Sequence, residues 1–271
     1  MKNSWQHLQT DVLILGSGGA GLCAVLHLMD HKPQPEVFLA VRGLFGKSGC
    51  TRMVQGGYNA VIDKSDSVEA HFLDTINGGQ WLNNQDLAWK MVCEAPERLL
   101  ELENRAGCFF DRNPDGTVHQ KPFAGQSFDR TVHKGDLTGI EIINRLSEQV
   151  AAMDNVIIGE EMRGVDLLFD RTGQKVSGAL LIDLRRGEFI VVEARAVLLA
   201  TGGGPTMYKI TAPCHDKTCD GIAMGFRAGT TMIDMEMVQF HPTGLLAGKS
   251  MISGTVLEEG LRGAGAYLLN G

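Results

Sequence analysis

Residues 10–21 have the sequence TDVLILGSGGAG, in which a short apolar run ends in a cluster of glycines. An apolar run of this length that stops at glycine is typical of a buried parallel strand. Residues 21–30 have helical character and residues 36–41 (EVFLAV) have the pattern of a second strand, which predicts a βαβ unit within about 30 residues. This order of strand, glycine turn and helix predicts a dinucleotide-binding α/β fold.

The glycines have separate roles in such a turn. Gly16 allows the tight turn, Gly18 lets the backbone approach a pyrophosphate, and Gly21 lets the helix pack on the strand. The N-terminus of the helix then faces the phosphates, because its dipole and its N–H groups favour negative charge. The expected pyrophosphate contacts are Gly16, Ser17, Gly18, Gly19, Ala20 and Gly21.

The choice of dinucleotide depends on the residue at the end of the second strand. An acidic residue is expected there to hold the adenosine ribose, but the chain has Arg42, which suits the 2′-phosphate of NADP. Residues 165–193 instead predict a three-strand antiparallel meander, which leads into an apolar strand at residues 196–202. These two features favour FAD. The predicted fold class is α/β, a three-layer FAD-binding domain of Rossmann-like, glutathione-reductase type with an antiparallel β-meander.

Composition excludes several other classes of protein. The chain has 271 residues, 44% of them hydrophobic, and a net charge of −7. It is therefore not expected to be disordered, and it lacks the basic clustering of a nucleic-acid-binding surface. The longest uncharged run, residues 12–29, contains the glycine turn, so no transmembrane helix is predicted. The polar N-terminal residues and six scattered cysteines favour a cytoplasmic protein with reduced thiols and no metal site.

Two local predictions concern the middle of the chain. Residues 86–105 have helical spacing, and Pro96 is expected to break that helix or to begin a new one. Arg130, His133 and Lys134 form a basic cluster near Asp136. We expect this cluster to be a solvated surface or a network that supports the cofactor.

Several strings of residues together define a family resemblance. The most specific is QFHPTG at residues 239–244. The others are GSGGAG (16–21), QGG (55–57), WLNNQD (81–86), EAPE (94–97), FAGQS (123–127), DLTG (136–139), ATGG (200–203), DG (220–221) and EGLRG (259–263). From about residue 11 to its last residue, the chain resembles the flavoprotein subunit of succinate dehydrogenase and fumarate reductase, and more distantly L-aspartate oxidase.

The resemblance implies which residues contact FAD. The pyrophosphate is expected over the glycine turn, the isoalloxazine ring near residues 48–51 and 55–57, and a further FAD-binding carboxylate at Asp220. Beyond the glycine turn, the implied FAD-binding residues are Arg42, Ser48, Gly49, Cys50, Thr51, Gln55, Gly56, Gly57, Ala200, Thr201, Gly202 and Asp220.

One position departs from the family pattern. In the respiratory members, a histidine five residues before QGG carries the covalent link to FAD, and Cys50 occupies that place here. The departure predicts FAD bound without a covalent bond, and a thioether to Cys50 is the covalent alternative. In this family, loss of the link lowers the flavin potential and favours fumarate reduction over succinate oxidation.

The resemblance also implies a substrate site. His241 matches the family's dicarboxylate ligand, and Glu259 and Arg262 match two further site residues. Glu258 replaces the family's substrate-binding threonine, and Ala264 replaces a glutamate. An added carboxylate beside a dianionic substrate weakens binding unless it is paired or protonated. The implied reaction is hydride transfer between flavin N5 and a C4 dicarboxylate.

The resemblance covers part of the family's length. Residues 1–243 are expected to be the first part of an FAD-binding domain, and residues 244–271 the start of an incomplete capping domain. Family members continue into a segment that holds the proton-delivering arginine, so we expect the 271-residue chain alone to be inactive. L-aspartate oxidase is one alternative function, and a catalytically inactive FAD-binding fragment is another.

Partners are implied by the same resemblance. They are a C4 dicarboxylate substrate, a membrane anchor and an iron–sulfur subunit, with no nucleic acid and no direct insertion of this chain into a membrane. The expected location is the cytoplasm, or the inner face of the cell membrane through partner subunits.

Overall fold

A computed structural model describes residues 5–250, 252–257, 260–267 and 269. The chain divides into two compact units, one formed by Met1–Met53 with Leu146–Thr255 and the other by Val54–Arg145 with Val256–Gly271. The domain boundary at residue 244 stays a prediction.

The regular elements lie in both units. The strands are β1 (Gln6–Leu15), β2 (Val37–Val41), β3 (Tyr58–Asn59), β4 (Gln120–Lys121), β5 (Thr131–Val132), β6 (Val156–Glu160), β7 (Met162–Phe169), β8 (Val176–Asp183) and β9 (Glu188–Leu199). The helices are α1 (Gly19–Leu28), α2 (Val68–Gly78), α3 (Gln85–Glu101), α4 (Thr138–Ala151), α5 (Asp220–Arg227) and α6 (Gly260–Gly263). None of the helices in the described ranges is both long enough and apolar enough to cross a membrane.

The first unit is built on a six-stranded sheet with the order β6-β2-β1-β9-β8-β7. The strands β6, β2, β1 and β9 run parallel to one another, and all five residues of β2 are buried. A strand with no exposed residue is expected where a parallel sheet is covered on both faces. The predicted βαβ unit is therefore confirmed as β1, α1 and β2.

The predicted meander is also confirmed. Strands β7, β8 and β9 pair antiparallel in sequence order, and β9 pairs in parallel with β1 along its other edge. One hydrophobic cluster spans both parts of this sheet, with Leu13, Phe38, Leu181, Val192 and Met224 among its buried members. The α/β fold class with a mostly parallel sheet and an antiparallel meander is confirmed.

The second unit contains α2, α3 and a three-stranded sheet with the order β3-β5-β4. The helix α3 continues through Pro96, so the predicted break is wrong. A proline inside a helix removes one hydrogen-bond donor. Here Val92 and Leu99 are buried before and after it, and their packing holds the helix on both sides of the proline.

A buried arginine organises the second unit. The side chain of Arg130 is 1% exposed and binds Asp66 through Nε and Nη2 at 2.8 Å each, and Asp74 through Nη1 at 2.5 Å. Burial alone would raise the pKa of Asp74, but hydrogen bonds from Ser127 and Arg130 outweigh it and hold that pKa below its ordinary value. The predicted solvated surface is wrong for Arg130, because two carboxylates neutralise it inside the unit.

Candidate functional site

The first unit has a cavity of about 540 Å³ where β1, β2 and β9 end. Leu15, Val41 and Leu199, the last residues of these strands, all line it. Ligands of open α/β sheets bind at the carboxyl ends of the strands. Of the residues predicted to bind the cofactor, those that line the cavity are Gly16, Ser17, Gly18, Gly19, Ala20, Arg42, Ser48, Gly49, Cys50, Thr51, Ala200, Thr201, Gly202 and Asp220.

The glycines of the turn at residues 16–21 differ in whether the surrounding atoms leave room for a side chain. Gly16 has a φ of +111°, and a Cβ there would lie 2.4 Å from the Ala200 carbonyl oxygen. A Cβ on Gly21 would lie 2.0 Å from the Gly16 carbonyl oxygen. Both positions therefore require glycine for the turn itself. Among the described residues, a Cβ on Gly18 would meet its nearest atom, Thr51 Oγ1, at 3.6 Å, so the space at Gly18 opens to the cavity.

The N-terminus of α1 forms one wall of the cavity. Gly18 precedes the helix with an extended backbone, and the Gly19 N–H donates to Thr51 Oγ1 at 3.1 Å. This hydrogen bond ties the loop after β2 to the start of α1. The first N–H groups of a helix have no partner within it, and together with the dipole they bind anions. The wall therefore suits a pyrophosphate.

An ion-pair network lies along the cavity near the end of β2. Arg42 Nη1 donates to the Asp216 carbonyl at 3.1 Å, contacts Thr218 Oγ1, and lies 3.5 Å from Asp220 Oδ2. Arg163 on β7 binds both carboxylate oxygens of Asp220, at 3.1 and 2.7 Å. Asp220 and its neighbours already bind Arg42. This arginine therefore no longer supports the prediction that the chain binds the 2′-phosphate of NADP.

Cys50 lies beside a second cysteine. Its Sγ is 3.5 Å from Cys214 Sγ, and it lines the cavity between Gly49 and Thr51. A hydrogen bond from the Cys214 thiol, assisted by the charge of Lys217, lowers the pKa of Cys50 to about 6, although partial burial opposes this. The hydrogen bond with Cys50, together with burial, raises the pKa of Cys214. The opposite directions of these two pKa shifts favour the thiolate at Cys50 over the thiolate at Cys214.

The remaining predicted FAD contacts belong to the second unit. The Gln55 carbonyl accepts a hydrogen bond from Thr138 Oγ1 at 3.2 Å. A Cβ on Gly57 would lie 2.1 Å from the Val132 carbonyl oxygen, so this glycine lets β3 approach β5. Gly56 lies between these two residues. Their role in binding the flavin stays a prediction.

The predicted substrate residues that the structure describes belong to different units. His241 is half-buried in the first unit and is not among the residues that line the described cavity. Its Nδ1 lies 3.2 Å from the Thr243 N–H nitrogen and 3.0 Å from the Thr243 carbonyl oxygen. Arg262 is half-buried in α6 of the second unit. Glu259 and the neighbouring Glu258 lie outside the described residues. The catalytic roles of these residues stay predictions.

Sequence reasoning missed several residues of the cavity region. Arg163, Cys214 and Lys217 come from the meander and from the segment before α5, far along the chain from the glycine turn. Thr218 also lines the cavity, and its position two residues before the predicted Asp220 is a sequence signal that could have identified it. In the described part of the chain, no group of three or more His, Cys, Asp or Glu side chains is placed to hold a metal ion.

The sheet, the glycine turn and the cavity define a dinucleotide-binding α/β protein. The family described as FAD binding domain matches residues 11–271, and the chain belongs to that family. Its cofactor is FAD, and the NADP alternative is wrong.

Individual relatives agree with this assignment. The chain is 44% identical over 263 residues to an uncharacterized FAD-dependent oxidoreductase of Methanocaldococcus jannaschii, covering 97% of this chain and 47% of that protein. It is 42% identical over 265 residues to a fumarate reductase (CoM/CoB) subunit of Methanothermobacter marburgensis, with the same coverage. A solved structure of E. coli quinol fumarate reductase superposes with a TM-score of 0.86 at 33% identity, covering 96% of this chain and 43% of that one. The chain thus spans less than half the length of these relatives.

The residues of the first unit fit FAD. A glycine-lined wall at the start of α1 leaves room for the pyrophosphate, since a Cβ on Gly18 would project into open space. The lining of the cavity also includes Arg42, Asp220 and Cys50, which the resemblance assigns to the same FAD molecule. We expect Gly18 and Gly19 to contact the pyrophosphate and Asp220 to lie along the same cofactor.

Proposed function

We propose that the protein containing this chain is an FAD-dependent oxidoreductase of the succinate dehydrogenase and fumarate reductase type. The observation that carries the proposal is the glycine-lined cavity at the ends of β1, β2 and β9, in a chain similar to fumarate reductase subunits over nearly its whole length. FAD, when bound, supplies two-electron chemistry, in which a hydride passes between its N5 atom and a carbon of a C4 dicarboxylate.

The substrate class rests on His241. When Nδ1 accepts the Thr243 N–H, the proton of the neutral ring lies on Nε2. In the imidazolium form, Nδ1 donates to the Thr243 carbonyl and Nε2 still carries a proton. Nε2 is a donor in both states, and a donor is what a substrate carboxylate needs. We infer that His241 binds one carboxylate of the substrate.

We also propose that FAD is held without a covalent bond. The support is Cys50, which occupies the position of the family's linking histidine and whose Sγ is engaged by Cys214 at 3.5 Å. The membrane anchor and iron–sulfur subunit implied by the resemblance belong to the same proposal, as does a peripheral location at the membrane.

The test uses the complete protein with bound FAD. Fumarate reduction is followed with a reduced viologen dye in wild type and in His241→Ala. Loss of one charge-assisted hydrogen bond weakens substrate binding by about 1.5–3 kcal/mol, which is roughly 10–150-fold in KM. FAD content should not change. The exposed His31 provides the matched control, and His31→Ala should behave as wild type.

Three other results would change this assignment. An unchanged KM in His241→Ala would remove this residue from the substrate site. Peroxide formation that depends on aspartate, without fumarate reduction, would indicate L-aspartate oxidase. Bound FAD with no turnover of either substrate would indicate a flavin-binding protein without this activity.

A further inference from the structure

Two cysteines that are 164 positions apart in sequence meet beside the cofactor cavity. Cys50 Sγ and Cys214 Sγ are 3.5 Å apart. Cys50 lines the cavity in the loop after β2, and Cys214 lies in the segment between β9 and α5. A disulfide has an S–S distance of about 2.05 Å, so a movement of roughly 1.5 Å by one or both side chains would join them.

The surroundings allow both the movement and the approach of a small reactant. Both cysteines are half-buried, so a reactant of a few atoms can reach them. A Cβ on Gly49 would meet no described atom within 4 Å, which leaves room for the loop to shift. The Lys217 ammonium interacts with Cys50 and favours the thiolate, which is the nucleophilic form of cysteine. Asp216 lies on the Cys214 side of the pair.

We propose that Cys50 and Cys214 form a reversible intrachain disulfide, in which Cys50 reacts first with a small hydroperoxide and Cys214 resolves the product. The Cys50 thiolate attacks one peroxide oxygen, the O–O bond breaks, and an alcohol or water leaves. Cys214 then attacks the sulfur of the Cys50 sulfenic acid, so that an S–S bond forms and the S–O bond breaks with release of water. Two electrons pass from the two thiols to the peroxide, and a dithiol reductant restores both thiols.

The bond links two segments that bound the same cavity. Residues 48–51 and residues 216–218 both line it, and the disulfide joins the first segment to Cys214, two residues before the second. Oxidation therefore fixes one wall of the cofactor site in place. The proposal makes this cysteine pair a modification site for peroxide within the FAD-binding domain.

The chain is well suited to a direct test by peptide mapping. Trypsin cleaves after Lys47, Arg52, Lys209 and Lys217, so Cys50, Cys214 and Cys219 fall on separate peptides. The purified protein with bound FAD is reduced, desalted without oxygen, treated with hydrogen peroxide and blocked with an alkylating reagent. We expect the loss of two thiols per chain and a cross-linked species that joins peptides 48–52 and 210–217. Dithiothreitol should restore both peptides.

Two variants make the test specific. In Cys214→Ser the cross-link should vanish, and dimedone should label the sulfenic acid at Cys50. The exposed Cys93 serves as the matched control, and Cys93→Ser should keep the cross-link. If Cys214→Ser does not fold, the peptide map of the wild-type protein is sufficient to test for the cross-link. Sulfinic acid at Cys50 with an unmodified Cys214, a cross-link to Cys219, or no loss of thiols at Cys50 would overturn the proposal.

Discussion

Substitution at Gly18 separates cofactor binding from folding. Gly18 has a φ of −72°, which valine adopts without strain, and a Cβ there meets its nearest described atom at 3.6 Å. Gly18→Val should therefore change the free energy of unfolding of the FAD-free protein by less than about 1 kcal/mol. Its methyl groups instead project into the space for the pyrophosphate. Loss of one backbone contact to a charged phosphate costs about 1.5–3 kcal/mol, so the Kd for FAD should rise roughly 10–150-fold.

Gly21→Ala is the matched contrast. Its Cβ would lie 2.0 Å from the Gly16 carbonyl oxygen, so the backbone must shift. Overpacking of this kind costs about 1–3 kcal/mol, or roughly 2–12 °C in Tm. Both variants are measured by thermal unfolding without FAD and by fluorescence titration with FAD. An unchanged Kd in Gly18→Val, or a loss of stability equal to that of Gly21→Ala, would refute this division of roles.

Three further predictions address other contacts. Acid precipitation of the holoprotein should release all of the flavin into the supernatant, and flavin fluorescence on the denatured chain would instead indicate a bond to Cys50. Arg130→Met should lower the free energy of unfolding by about 3–5 kcal/mol at pH 7, because it leaves buried carboxylates unpaired. Since the pKa of Asp74 is lowered in the folded protein, its contribution is present above about pH 4 and is lost on acidification, so urea unfolding should show the variant's deficit shrinking below that pH. Thr51→Val should cost about 1 kcal/mol by removing the acceptor of the Gly19 N–H, whereas Thr51→Ser should not.

The sequence predicted the first unit well because its signals are local. An apolar run, a glycine turn and a helix lie within residues 10–30, and each hairpin of the meander has its own turn. The second sheet gave no such signal. Its strands β3, β4 and β5 have two residues each, which is too short for any alternation of polar and apolar residues to appear.

Side-chain partners far apart in sequence were not predictable from a single chain. The burial of Arg130 depends on Asp66 and Asp74, 64 and 56 positions earlier. The approach of Cys214 to Cys50 likewise depends on the fold. In contrast, the glycine-turn residues could be placed at the cavity because the turn geometry itself requires them. The predicted helix break at Pro96 was wrong because tertiary packing on both sides of the proline outweighs the missing hydrogen bond.

The central position of β1 has a consequence for how the protein is made. Leu15 pairs in parallel with Leu199, roughly 180 residues further along the chain, and both residues line the cofactor cavity. At a synthesis rate of about 5–20 residues per second, some 10–40 s separate the emergence of the two strands from the ribosome. During that interval one edge of β1 has no partner strand, and FAD has no complete site. Cofactor capture therefore cannot precede the synthesis of β9, and until β9 arrives one hydrogen-bonding edge of β1 is unpaired.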